Sequence, residues 1–297
     1  MMQLLVDGIV AASFITLGVI GLSMVFNILN FPSFAQGDQI TSGAYMALAI
    51  ATLFGTVGGP AGGLSVGWCI TIALPCAVVL NALLALIIDR AIYRQLRLRG
   101  ASRISMIMAS FGVSLMLRNV IVMFAGQDPH FFTFAIQPAL RIWGIRIAVN
   151  ELIVIGVTFV LVLCLHLFLS RTTLGKSMRA VAENPSLARV NGIDVDRVIQ
   201  WTWIIGTGLA TVAGVLLGFT VQLHPFMGFE LLLPMFAALI VGGMTNIYGV
   251  LLGALLIGLV EGLTVEYLAP EYRQAAPFAA IILVLLFKPH GIFGEKA

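Results

Sequence analysis

Charge is scarce in this 297-residue chain: Asp, Glu, Lys and Arg together make up 10% of it, against 60% hydrophobic residues. A soluble domain carries about 25% charged residues, and this chain has too little polar surface to coat a particle in water. A secreted domain, a cytosolic enzyme and a disordered chain are excluded, which leaves an integral membrane protein. Cysteine is scarce as well. Cys69, Cys76 and Cys164 lie in apolar runs without CxxC or Cys/His spacing, so packing in lipid is expected of them and no zinc site. The four histidines (His130, His166, His224, His290) are scattered, and no His/Asp/Glu set has metal-ligand spacing. No nucleophile–base–acid arrangement stands out either, so no catalytic residue, no metal and no enzymatic activity are expected. The aromatic residues lie inside apolar runs and not beside an exposed basic surface, which argues against a nucleic-acid partner.

What is present is length of apolar run. A membrane helix needs about 20 predominantly apolar residues, and candidates fall at roughly 8–29, 40–57, 68–89, 104–125, 150–170, 199–222, 231–247, 249–267 and 275–288. The first lacks a basic leader and a clear cleavage site, and reads as a retained span. The second and seventh are interrupted or short. The expected fold class is therefore an all-α polytopic bundle of about eight to nine segments, one or two of them broken or re-entrant, since in lipid every backbone group must find an internal partner. The stretch 55–67 is too rich in glycine and proline for helix and is expected as a loop. Small-xxx-small pairs at Gly214/Gly218, Gly249/Gly253 and Gly258/Gly262 allow close helix approach.

Ten of the sixteen basic residues fall in two windows, 90–103 and 171–198, both expected as loops between spans. Local Lys/Arg bias sets topology, so both are expected in the cytoplasm, with 126–149 outside. Three segments before residue 90 place the N-terminus outside; a re-entrant 40–57 would move it inside.

The second window holds Ser170-Arg171-Thr172-Thr173-Leu174-Gly175-Lys176-Ser177, one glycine short of a P-loop. A phosphate cradle needs that glycine turn after a buried strand, and an apolar span precedes it here. Further on, Asn184 can cap and Pro185 can open a short helix, Leu187 and Val190 share a face, and Gly192 can stop it. Two turns are too short to be stable alone in water, so the helix must dock, either on lipid or in a partner's groove.

That loop, with Asp196-Arg197-Val198-Ile199 and the Gly206–Gly218 stretch after it, resembles the permease subunits of branched-chain amino-acid ABC transporters. Phe34-Ala35-Gln36-Gly37-Asp38 with Gly43-Ala44-Tyr45, the Gly242-Gly243-Met244 turn with Gly249 and Gly253, and the tail from Lys288 to Gly294 are similar too. The resemblance spans nearly the whole chain and implies a single permease domain, 1–297, in a bacterial inner membrane. It implies as partners a second related permease, two ATP-binding-cassette ATPases and an external solute-binding protein. ATP is then used by the partners and no cofactor by this chain. Glu183, Asn184, Arg189 and Gly192 match the family's ATPase-contacting loop.

A charge at the membrane centre is costly and marks a functional candidate. Gln36, Gly37, Asp38 and Tyr45, in the interrupted second segment, and Glu261, between Gly258 and Gly262, are the candidates for a translocation path. Arg118 lies 15 residues past Arg103, about 22 Å along a helix, and is expected to snorkel to the outer boundary; Glu266 also lies near an outer end. Residue chemistry alone leaves open a route for urea or another small solute, and an ion-coupled transporter using Asp38 and Glu261.

Overall fold

The computed structural model describes residues 2–53, 68–132, 140–142, 145–244, 247–288 and 291–292. The expected loop at 55–67, Thr245 and Asn246 of the glycine joint, His290 and residues 293–297 lie outside the described residues.

Helix α1 (Met2–Leu29) turns through Asn30, in a left-handed conformation, into α2 (Ala35–Leu53). Helix α3 (Trp68–Ile88) continues through one π-turn, Asp89–Tyr93, into α4 (Arg94–Leu98), and α5 (Arg103–Ala125) follows. A small antiparallel ribbon, β1 (Leu140–Ile142) with β2 (Ile145–Ile147), pairs Leu140 with Ile147 and interrupts an otherwise helical chain. Then come α6 (Val149–Arg171), α7 (Thr173–Glu183), α8 (Pro185–Val190), α9 (Val195–Thr220), α10 (Met227–Gly242), α11 (Ile247–Tyr267) and α12 (Ala275–Phe287). Among the described residues, six helical stretches are long and apolar enough to cross a membrane: Gln3–Leu29, Ile70–Leu98, Arg103–Ala125, Val149–Arg171, Val195–Thr220 and Tyr248–Tyr267. The polytopic all-α class stands, with α2, α10 and α12 shorter or more polar than these six.

Three expectations change. The second segment is not interrupted at Gln36–Asp38: α2 is continuous from Ala35, because its polar side chains are enclosed by α1, α3, α5, α9 and α10 and find partners there. The first basic window is mostly helix and not loop. Arg90, Arg94 and Arg97 ride on the π-turn and α4, which prolong α3. The second window holds two helices, α7 and α8, where one was expected.

The helices meet through small residues. A Cβ added to Gly258 would strike the backbone of Ala12, and one at Gly262 would meet Gly8, so α1 and α11 lie backbone to backbone in antiparallel register. The backbones of Gly37 and Gly228 touch in the same way, joining α2 to α10. Helix α2 climbs beside α5 in the same direction, from Phe34, whose amide donates to Ser110 Oγ at 3.2 Å, to Tyr45, whose ring lies 5.9 Å from that of His130 beyond the end of α5. Phe31 packs on Tyr93 at 5.6 Å, so α2 starts at the end that carries the arginine window. Helix α1 ends at the turn into α2, so its N-terminus lies at the opposite end from the basic residues.

Candidate functional site

Asp38 is fully buried in the first turns of α2. Arg118 on α5 reaches it with two bonds, Nε to Oδ1 and Nη2 to Oδ2, each 3.1 Å, and Ser114 Oγ donates to Oδ2 as well. Phe229 and Phe226 cover the guanidinium, their ring centroids 4.3 and 5.5 Å from its carbon. The snorkelling expected of Arg118 is overturned: it is 8% exposed and turned into the protein. Separation along α5 placed it near a boundary, but a buried carboxylate one helix away holds it more strongly than the interface does.

Around the pair, α2 keeps hydrogen-bonding capacity in hand. Gln36 Nε2 donates to the Gly206 carbonyl of α9 at 3.2 Å, while Gln36 Oε1, both amide atoms of Gln39 and Tyr45 Oη have no protein partner among the described residues. Thr41 Oγ1 accepts from the Gly228 amide at 3.0 Å, so α10 begins inside the bundle against α2. Ser42 Oγ, the Gln39 carbonyl and Thr211 Oγ1 all meet Asn81 of α3, at 2.9, 2.9 and 2.8 Å. Gln36, Gly37, Asp38 and Tyr45 are thus brought together on one helix. Glu261 is not among them: it is buried on α11 and takes a 3.1 Å bond from Arg273 Nε, tying α11 to the turn before α12.

A second buried centre escaped sequence reasoning. Asp89, in the π-turn, accepts from Arg97 at 2.7 and 3.2 Å and from Trp203 Nε1 of α9 at 3.0 Å, and Tyr93 stacks on Trp203 with ring centroids 5.2 Å apart. The sequence signal was an acid eight residues before an arginine, which spacing alone could not distinguish from a solvated loop. A single-turn π-bulge shifts the register of the helix and lets Asp89 and Tyr93 both face α9. Trp203→Phe keeps the stacking and removes the donor to a buried carboxylate, at an expected cost of about 1–3 kcal/mol. Thermal unfolding of the detergent-solubilised chain reads this; an unchanged midpoint would remove the bond from the account.

The loop between α6 and α9 is built from local caps. Thr172 Oγ1 accepts the Gly175 amide at 3.0 Å to start α7. Asn184 Oδ1 accepts the amides of Ser186 and Leu187 at 3.0 and 3.1 Å, and Pro185 opens α8 as expected. Gly192, with φ at +80°, ends it. Ala188 is buried against the protein, while Leu187 and Val190 are exposed at 59% and 83%, with Arg189 between them. The near-P-loop at 170–177 spans the end of α6, its cap and the start of α7, with no strand before it.

The family model for "Branched-chain amino acid transport system / permease component" matches residues 4–285 of this sequence. The chain belongs to that family. Among its relatives, the high-affinity branched-chain amino acid transport system permease protein BraD of Pseudomonas aeruginosa is 32% identical over 305 residues, covering 99% of this chain and 96% of that one. The permease protein LivH of Escherichia coli is 31% identical over 301 residues, with the same coverage. A chain of PsaBC from Streptococcus pneumoniae, solved in complex with Fab, shares the fold at a TM-score of 0.53 and 16% identity, over 98% of this permease and 93% of that chain. As a permease, the chain presents two features to be accounted for: a polar helix held at its centre and a capped helix pair at its basic end.

Proposed function

We propose that this permease is the membrane-spanning subunit of an ATP-binding-cassette importer that moves branched-chain amino acids across the inner membrane by alternating access. It works with a second related permease, two ATPase subunits and an external solute-binding protein. ATP is hydrolysed by the partners, and this chain moves the solute without bond chemistry. The family match and the names of its relatives support the substrate class. The ion-coupled alternative loses its footing, because Asp38 and Glu261 each belong to a separate ion pair, with Arg118 and Arg273.

The observation that carries the coupling role is α8. A two-turn helix with both ends capped holds Leu187 and Val190 out of the protein, although exposed apolar side chains of this size call for a partner surface. Glu183, Asn184, Arg189 and Gly192 frame that surface, and the ATPase is its partner. Closure of the ATPases on ATP pushes α8, and Asp194, which caps α9 through the Arg197 amide at 3.1 Å, passes the push to a long buried helix. The path lies along α2, where Gln36, Gly37, Asp38 and Tyr45 offer polar capacity among apolar walls; Glu261 stands apart from them at the far end of α11.

Deletion of 184–192, or the milder Arg189→Glu, is expected to leave the permease inserted in the membrane while the ATPase no longer co-purifies and leucine uptake into proteoliposomes stops. Retention of the ATPase by the deleted chain would refute the coupling role. Uptake of urea in preference to leucine by the intact complex would refute the substrate.

A further inference from the structure

One cavity belongs to neither α2 nor α8. It has a volume of about 560 Å³ and lies between α1, α6, α7 and α11. Its walls are mainly apolar, with Ile20, Met24, Leu165, Leu169, Met178 and Leu251 among them. His166 and Tyr248, hydrogen-bonded at 2.8 Å, tie α6 to α11 at its edge. Asn27, Ser170, Arg179 and Glu183 supply the remaining polar atoms.

Position decides what such a cleft can hold. Its lining comes from the last turns of α1 and α6 and the first turns of α11, all at the end marked by the basic windows. The outer faces of α6 and α11 flanking it carry exposed Phe159, Val160, Leu163, Leu252 and Leu255, the surface of a helix bathed in hydrocarbon. The cleft therefore opens sideways into the cytoplasmic leaflet. Helix α7 gives Met178, Arg179, Ala182 and Glu183 to the lining, while Lys176, one turn before Arg179, and Arg171, at the end of α6, stand outside it. None of these three cations has a salt-bridge partner among the described residues, and Glu183 is the only carboxylate lining the cleft. An apolar slot with Arg179 in its wall and two more cations close by in sequence, at headgroup depth, matches one class of molecule.

We propose that this cleft binds an anionic phospholipid of the inner leaflet, with an acyl chain between α6 and α11 and the phosphate on Arg179. Lys176 and Arg171 add to the field that selects negative headgroups, and basic pockets between membrane helices on the cytoplasmic side hold such headgroups for this reason. Tyr248 and His166 sit at the interface between chain and headgroup, where amphipathic rings are favoured. The lipid would fill the space beneath α7 and so bear on the helix that leads into α8. The site needs only the orientation fixed by the basic residues, and does not depend on which solute the permease carries.

The test is native mass spectrometry of the intact permease, released from nanodiscs containing equal phosphatidylglycerol and phosphatidylcholine. One retained phosphatidylglycerol per chain is expected. Arg179→Gln should lower that retention about fivefold and Arg179→Glu about 25-fold, at roughly one fivefold factor for each unit of charge near the surface. Leu165→Trp, which fills the slot, should remove both lipids while circular dichroism stays that of the folded helix bundle. Equal retention of the two lipids, or retention indifferent to Arg179→Glu in a folded chain, would overturn the site. A photocrosslinker at position 162 should capture lipid; capture of another subunit would make the cleft a protein interface and overturn it as well. Loss of leucine uptake with lipid retention intact bears on the transport reading alone.

Discussion

Arg118→Met is expected to destabilise the bundle by about 3–5 kcal/mol, the range for breaking a buried ion pair from one side. The carboxylate of Asp38 would remain at zero exposure with Ser114 as its one remaining donor. The two rings over the guanidinium would lose their cation at the same time. Asp38→Asn should cost a similar amount, because it strands the arginine in place of the acid. The double variant Asp38→Asn/Arg118→Gln leaves no net charge to bury and restores hydrogen bonding between amides, so it should regain most of the loss. Folded yield and unfolding midpoint in detergent measure all three. Midpoints unchanged in both single variants would mean that the pair does not hold α2 to α5. A double variant that folds like the wild type yet fails to transport would assign the charges to the path and not to stability.

Gly228→Val should be nearly as damaging, through shape and not charge. A Cβ at 228 would collide with the Gly37 carbonyl oxygen, and would approach Thr41 Oγ1 within 2.5 Å. Both obstacles are fixed: one is helix backbone, and the other already accepts the Gly228 amide. Overpacking costs about 1–3 kcal/mol where side chains can yield, and more is expected where backbone must move. Helix α10 would be pushed off α2, and Phe226 and Phe229 off Arg118 with it. Gly112→Ala is the control. An added Cβ there meets nothing within 4 Å, and the change should stabilise α5 by about 0.5–1 kcal/mol. Equal unfolding midpoints for the two variants would show that the close approach of α2 and α10 is not specific.

What was legible in the sequence was what neighbouring residues decide among themselves. Asn184 and Pro185, with Gly192 eight residues after the cap, contain the whole description of α8, and the structure reproduces it. The apolar runs announced the spans in the same way. Arg118 was misread because its partner is 80 residues away, and depth along a helix does not say which face looks inward. Helix α7 has a helical period in Leu174, Met178 and Val181, but Gly175 within it weakens the local signal. That glycine is helical, and small because Leu169 backbone lies against it. The π-turn at Asp89–Tyr93 had no local signature; its cause is Trp203, 114 residues from Asp89. The continuity of α2 was hidden for the same reason, since polar residues in an apolar segment read as a break until the helices that satisfy them are known.

The glycine contacts between α1 and α11, and between α2 and α10, have a mechanical side. Backbones that touch directly have no side chains between them to change rotamer, so these helices cannot slide past one another by small repacking steps. Each of these pairs is held as a stiff unit. On the proposed coupling role, a push delivered at α8 meets little give at these seams, and the compliance that lets the passage along α2 open first to one side and then to the other must lie where α2 meets α3 and α5 through side chains.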